Sequence, residues 1–432
     1  MLTFATQAPR ASGDPRPDPA PESISKGGVI KQIALIVALA LLASALLAGN
    51  RTQTAPVTSP QPRVSFAKAI TSHSPVLYPN SLAAGDLNGD GFADIAVVSF
   101  DNSQLTWYGL GKGNGHFDHW SDKVPAVYEP SFVFFADVDG DGNLDAITTD
   151  FEPSFTVAFG DGKGHFPSYM RPNTGNSCWS VEVAVADVNG DGIPDIVGTC
   201  FADINGPGTV FVLLGEGNRK FQKVMHFSSG GQEPYGIVVG DLNHDGIPDV
   251  IVANNGSQKV NYGNIAVLLG KGDGTFDKPV RYQAGNDPYQ LVLADFNGDG
   301  NLDAAVASPN DVNTIRVLLG KGDGTFGAAK AYPSGLYPIS IVSADFNGDG
   351  IPDLAVSNYS SPKPCHVSVM LGNGDGTFQP PVHFRVGVSP TQLVVADFNH
   401  DGKPDLATIN GGDSTISVLL NTTQFPTPSP IH

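Results

Sequence analysis

The segment "DFNGDGNLD", Asp295 to Asp303, places Asp, Asn, Asp and Asp at its first, third, fifth and ninth positions, with Gly at the sixth. Six further segments share this pattern. The oxygen-bearing sets are Asp86, Asn88, Asp90 and Asp94; Asp137, Asp139, Asp141 and Asp145; Asp187, Asn189, Asp191 and Asp195; Asp241, Asn243, Asp245 and Asp249; Asp295, Asn297, Asp299 and Asp303; Asp345, Asn347, Asp349 and Asp353; and Asp397, Asn399, Asp401 and Asp405. Only the second set departs, with Asp139 in place of Asn. These side chains offer hard oxygen atoms and no nitrogen or sulfur ligand, a donor set that selects Ca²⁺ over Zn²⁺. They converge only if the chain coils tightly, and Gly at position six permits the left-handed turn that other residues resist. Up to seven Ca²⁺ ions are expected, one for each loop.

Each segment starts like an EF-hand loop, but the Glu at position twelve is absent. Asp at position nine is therefore the expected closing ligand, with the carbonyl of position seven beside it. The competing reading is a set of Asx-type turns whose carboxylates cap backbone N–H groups. Against it, the seven segments hold 22 of the chain's 43 acidic residues, which would repel one another without compensation. Position four is His in two copies, His244 and His400. With the neighbouring Asp residues intact, both read as surface substitutions. His116 and His165 take the Thr position of a recurring GDGTF turn, and "GLGKGNG" from Gly109 aligns with that turn and not with a phosphate loop. No Ser-His-Asp set or isolated Glu pair stands apart from the repeat, so no catalytic or organic-cofactor residue is assigned.

The loops recur at spacings of 51, 50, 54, 54, 50 and 52 residues, the period of a propeller blade. In one unit "YQLVLADF" alternates into the loop as strand A, and "DAAVAS" leaves it as strand B. "TIRVLLG" gives strand C, and "TFGAAKAY", after the turn "KGDG", gives strand D. Nothing has helical periodicity. Four strands in each of seven units predict an all-β, seven-bladed β-propeller. The last unit stops at "ISVLLNTTQF" and lacks strand D, while "VSFAKAIT", Val64 to Thr71, aligns with "GTFGAAKAY". The N-terminal strand is expected to pair with Ile416 to Leu420, closing the ring and hiding two sheet edges.

Strand direction puts the A–B and C–D hairpins at one end of every blade and the B–C and D–A connections at the other. The first end is nearly uniform. The second varies from "SFDNSQ" to "FADINGPG" to "NNGSQKVNYGN", and a ligand site is expected there. A charge swap at Asp203 or Lys259 is expected to alter ligand binding more than one at Lys271 or Lys321. Six D–A connections carry Pro seven residues before the loop Asp; the third has Ser180, preceded by Cys178 and Trp179. Cys178 and Cys200 fall on paired strands, which leaves open a disulfide or two buried thiols. Trp179 reads as rim packing or as a sugar-stacking surface. Trp107, Tyr108 and Trp120 are expected between blades.

The motifs "DFNGDGNLD" and "VLLGKGDGTF" (Val267 to Phe276, repeated at Val317 to Phe326) resemble the FG-GAP/VCBS repeat family. The similarity runs from about Val64 to Leu420. It implies the propeller architecture of integrin α-chains, whose blades carry Ca²⁺ in the A–B hairpin, and roles that range over adhesion, lectin and some enzyme functions. The third copy departs most, since "LLGEGNRKF" lacks the Asp and the second Gly of the turn.

The 432-residue chain has a formal net charge of -19, which argues against nucleic acid as a partner. Its 51 Gly and 34 Pro with only 16% charged residues suit short strands and turns, and three Cys are too few for a disulfide scaffold. Residues 1–28 are polar, carry five Pro and read as a disordered cytoplasmic tail. "IALIVALALLASALLA", Ile33 to Ala48, follows Lys26 and Lys31, as the positive-inside rule requires for export of what comes after. Residues 29–49 thus form a transmembrane anchor or a signal segment, cleaved or uncleaved. Residues 50–63 read as a Pro/Thr-rich linker, 64–425 as the propeller and 426–432 as a disordered tail. The expected protein is exported, whether periplasmic, cell-surface or secreted, and attached to the membrane if the apolar segment is kept. Its expected role is Ca²⁺-dependent recognition or adhesion, binding an extracellular protein or glycan through the variable face. The alternatives are a carbohydrate-active enzyme, such as a polysaccharide lyase or hydrolase, and a purely structural surface propeller.

Overall fold

Apolar, β-branched runs such as "DVIVAN" (Asp249–Asn254) and "DLAVSN" (Asp353–Asn358) form strands that are buried at every position. A strand buried on both faces must lie in a sheet covered on both sides, and with no helix among the described residues the cover is other sheets. The computed structural model describes residues 63–99, 105–125, 130–149, 153–175, 178–201, 207–256, 263–311, 313–359 and 365–425. They form a seven-bladed β-propeller of four-stranded antiparallel sheets, with no helix among the described residues. Six sheets come from residues 79–125, 132–170, 179–228, 234–282, 290–333 and 338–385; the seventh joins 390–419 to the N-terminal strand Ile70–His73.

The core lies between blades. Ile251 and Val267 of the fourth blade pack with Leu291 and Val306 of the fifth, and Ile95 and Val97 of the first with Ile409 and Val418 of the seventh. This explains why strand A does not alternate as expected. Gln290–Ala294 is buried over its first four residues, whereas the outermost strand Met225–Ser228 alternates half-buried and exposed. Tyr108 is buried between the first two blades, and Trp107 and Trp120 pack toward the seventh.

Strand D is shorter than its sequence suggests. In the fifth blade it covers Lys330–Pro333, while Phe326 makes an isolated bridge to Gly320 and is buried in the inter-blade core. That anchoring draws the residues between them out of the ladder. The N-terminal strand follows the same plan. Phe66 bridges to Asn421, and Ile70–His73 pairs with Val418 to Thr415, so the pairing begins later than the Val64 start read from the sequence.

Polar side chains tie the innermost strands together. The residue five places before a loop Asp accepts the backbone N–H of the next blade: Val133 donates to Ser81 at 3.1 Å, Ile341 to Gln290 at 2.9 Å and Leu393 to Ser340 at 3.1 Å. Leu82 donates to Gln392 at 2.9 Å, which bonds the first blade to the seventh. Glu182 holds this place in the third blade; burial raises its pKa well above the usual range, against the lowering effect of the Ile237 N–H.

A disulfide joins Cys178 and Cys200 across Cα atoms 5.0 Å apart, and the buried Cys365 is outside it. Non-reducing peptide mapping of protein made in an oxidising compartment should recover Cys178 and Cys200 as one species. Alkylation of all three thiols without reductant would contradict the bond. Residues 1–62, with the apolar run Ile33 to Ala48, and 426–432 lie outside the described residues. Among those described, no helix is long and apolar enough to cross a membrane.

Candidate metal centres

All seven loops have one hydrogen-bonding plan. The carboxylate at position one turns inward: its Oδ1 accepts the N–H of position five and its Oδ2 the N–H of position six, as when Asp295 receives Asp299 at 3.1 Å and Gly300 at 2.8 Å. The Asp at position five receives the N–H of position seven, Asn301 to Asp299 at 2.8 Å in that loop. Gly300 sits at φ +88° with nothing within 4 Å of where a Cβ would be, so the glycine is needed for its backbone conformation and not for space. Position four is less demanding, since His244 and His400 adopt φ of 60° and 58° there and are exposed.

Position nine is the peg that fixes each loop to its blade. Asp303 is fully buried; its Oδ2 accepts Phe296 N–H at 2.9 Å and its Oδ1 accepts Gly320 N–H at 2.8 Å from the C–D turn. Asp94, Asp145, Asp195, Asp249, Asp353 and Asp405 make the same two bonds, with Asn421 donating the second to Asp405. The hydrogen bonds are those of Asx turns, yet they leave room for a cation, because each carboxylate oxygen carries two lone pairs.

The electrostatics are what a cation would relieve. Burial raises the pKa of every position-nine Asp, and the loop's own carboxylates raise it further. Asp94, Asp195 and Asp303 reach about 6, Asp145 and Asp405 about 7, and Asp353 about 8. Among the described residues, only Asp139, Asp141 and Asp401 of the loop carboxylates form ion pairs. In the second loop, Asp137, Asp139 and Asp145 bring carboxylate oxygens within 4.8 Å of one another. The oxygen-only donor sets of the loops, and their negative charge, which among the described residues outside the second loop is offset by an ion pair only at Asp401, fit Ca²⁺. When bound there, the ion would be held by positions one, three, five and nine, and its role would be to offset their charge.

Neighbouring blades share these centres. The second Gly of a C–D turn donates to the position-two carbonyl of the preceding loop: Gly164 to Leu87 at 2.9 Å, Gly274 to Val188 at 3.2 Å, Gly324 to Leu242 at 3.0 Å and Gly376 to Phe296 at 3.0 Å. Gly115 does so to Phe398 at 3.2 Å. The seventh blade lacks the turn, and the Asn421 side chain donates to Phe346 O at 2.9 Å instead. In the third blade Arg219 replaces the glycine at φ +61°. The sequence marks that turn as irregular but does not show what Arg219 touches: its Nε lies 2.6 Å from Asp139 Oδ2 of the second loop.

The FG-GAP-like repeat model matches residues 86–148, 200–252, 257–306, 295–356 and 345–408. Integrin alpha-6 of Homo sapiens is 31% identical over 151 residues, covering 32% of this chain and 13% of the human one. Integrin alpha-PS5 of Drosophila melanogaster is 30% identical over 147 residues, covering 29% of this chain and 14% of its own. The chain thus spans about one seventh of either relative. A crystal structure of BBS1N in complex with ARL6DN, soaked with mercury, superposes with a TM-score of 0.55 at 13% identity over 84% of this chain and 98% of that one, a likeness of fold.

Proposed function

The chain belongs to the FG-GAP-like repeat family, and from that membership we propose that it is an exported, Ca²⁺-stabilised propeller that recognises a protein or glycan with the face opposite its acidic loops. One end of the molecule repeats the same loop and turn in blade after blade, as a scaffold does. The other end carries the observation that supports recognition. Leu77 and Tyr78 are 64% and 70% exposed, and Leu336 and Tyr337 are 49% and 47% exposed. Both Leu-Tyr pairs stand just before the Pro that opens strand A, in blades one and six, on either side of blade seven. Tyr78 and Tyr337 have φ of 48° and 53°, and Glu233 and Ser389 share that conformation at the same position. The backbone is therefore a feature of the fold, and the choice of Leu-Tyr is not required by it. Exposed tyrosines are what binding surfaces enrich. The similarity to integrin alpha chains agrees with this reading.

The test is a glycan array and a panel of purified matrix proteins, probed with the full chain in about 1 mM Ca²⁺. For any ligand found, Tyr78→Ala with Tyr337→Ala should weaken binding by about thirtyfold, the size of a central aromatic contact. Lys271→Glu with Lys321→Glu, at the scaffold end, should leave it unchanged, and the reverse ranking would refute the assignment of faces. Asp203 and Lys259 lie outside the described residues, so the tyrosines are the sharper probes.

A further inference from the structure

Two exceptions to the repeat meet at one point. Asp139 is the only Asp at position three, where the other six loops have Asn. Arg219 is the only residue other than Gly at the fifth place of a GxGxG turn in the first six blades. The fold sets these two positions side by side. A Cβ on Gly164 would lie 3.5 Å from Asn88 Cβ, and one on Gly376 would lie 3.5 Å from Asn297 Cβ, each the position-three residue of the preceding loop. At that place Arg219 donates from Nε to Asp139 at 2.6 Å and puts a second nitrogen 3.7 Å from Asp141. Its guanidinium also lies 4.3 Å above the Phe159 ring and bonds to Ser168 Oγ at 2.9 Å, so it is held from three sides.

In five of the other loops the position-three Asn donates its amide to the carboxylate at position five, as Asn297 does to Asp299 at 3.0 Å. Asp139 has no such amide; Arg219 instead hydrogen-bonds Asp139 itself and brings a positive charge near Asp141. We propose that Arg219 is a tethered cation for the second loop, standing in for Ca²⁺ there and lowering that loop's affinity for the ion below that of the other six. A guanidinium bonded to the position-three carboxylate and lying 3.7 Å from the position-five carboxylate repels a divalent ion and occupies an oxygen that would otherwise be its ligand. The inference rests on the Ca²⁺ reading of the other loops.

The experiment counts Ca²⁺ bound to the full chain by equilibrium dialysis, for the wild type, Arg219→Gln and Arg219→Gly. The first variant keeps the stem over Phe159 and removes the charge; the second restores the residue found in the neighbouring blades. The wild type should bind six ions in one class and a seventh at least about tenfold more weakly, and either variant should bring the seventh into the main class. Seven equivalent ions in the wild type, or an unchanged count in both variants, would overturn the proposal. In chelator, Arg219→Gln should lower the unfolding midpoint, and adding Asp139→Asn should recover part of the loss. No recovery would show that Arg219 is not the counter-charge of Asp139. Absence of bound ions in every protein would overturn the Ca²⁺ reading and the competition with it, while the chelator comparison still decides whether the two side chains are coupled.

Discussion

Removing Ca²⁺ should lower the thermal unfolding midpoint of the propeller by on the order of 10 °C. An extracellular-type site has a dissociation constant of about 0.1–1 mM. At about 1 mM free ion and a constant of about 0.1 mM, each site stabilises the folded state by roughly 1.4 kcal/mol through mass action. Six or seven loops acting independently would contribute on the order of 8–10 kcal/mol, comparable with the whole stability of a domain. For a chain of this size the unfolding entropy is about 0.8 kcal/mol per kelvin, which converts that sum to the stated shift. The loops are hydrogen-bonded within themselves, through contacts such as Asp295 with Gly298 and Gly300, so the metal-free chain should stay folded, only less stable. Scanning calorimetry in excess Ca²⁺ and in chelator measures the difference. Asp299→Ala with Asp349→Ala should shrink it by about a quarter to a third, the share of two sites. An unchanged midpoint after verified metal removal would reduce the loops to turns.

The pH dependence of stability should reverse sign between the two states. Without metal, burial and the neighbouring carboxylates raise Asp249 above its usual value and raise the other six position-nine Asp residues from 3.8 to between about 6 and about 8. A carboxyl whose folded pKa is raised favours the folded state fully below its unfolded pKa, and that contribution is lost as pH rises through the folded value. In chelator the midpoint should therefore fall between pH 5 and pH 8, with Asp353, the most strongly raised, acting last. With Ca²⁺ bound the ligands must be ionised, so the midpoint should climb over the same interval. Asp353→Asn should flatten the upper part of the metal-free curve. Parallel curves in Ca²⁺ and chelator would mean that these carboxylates do not face a cation.

The nine-residue loops are legible in the sequence because everything that forms them is local: the carboxylates at positions one and nine and the glycine at position six bond within a single blade. The number of blades follows from the period, and the missing last strand from the truncated seventh unit. Contacts between blades are not legible in the same way. Gln392 and Leu82 are bonded across 310 residues, and no periodicity marks the pair. Strand D begins later than the sequence suggests because Phe326 reads as a strand residue but is spent on the inter-blade core. Arg219 and Asp139 each stand out as an exception in its own repeat. Their meeting requires the offset between neighbouring blades, which packing alone supplies. Leu77 and Tyr78 look like one more apolar stretch before a Pro, and only their exposure separates them from Tyr235 and Tyr289, which follow Pro in other blades and are buried.

The most direct measurement is anomalous diffraction from crystals of the propeller grown in Ca²⁺. Peaks are expected in at least six of the seven loops, each about 2.3–2.6 Å from carboxylate or amide oxygens of positions one, three, five and nine. Loops that keep their internal hydrogen bonds and show no peak at saturating Ca²⁺ would contradict a metal role for these residues.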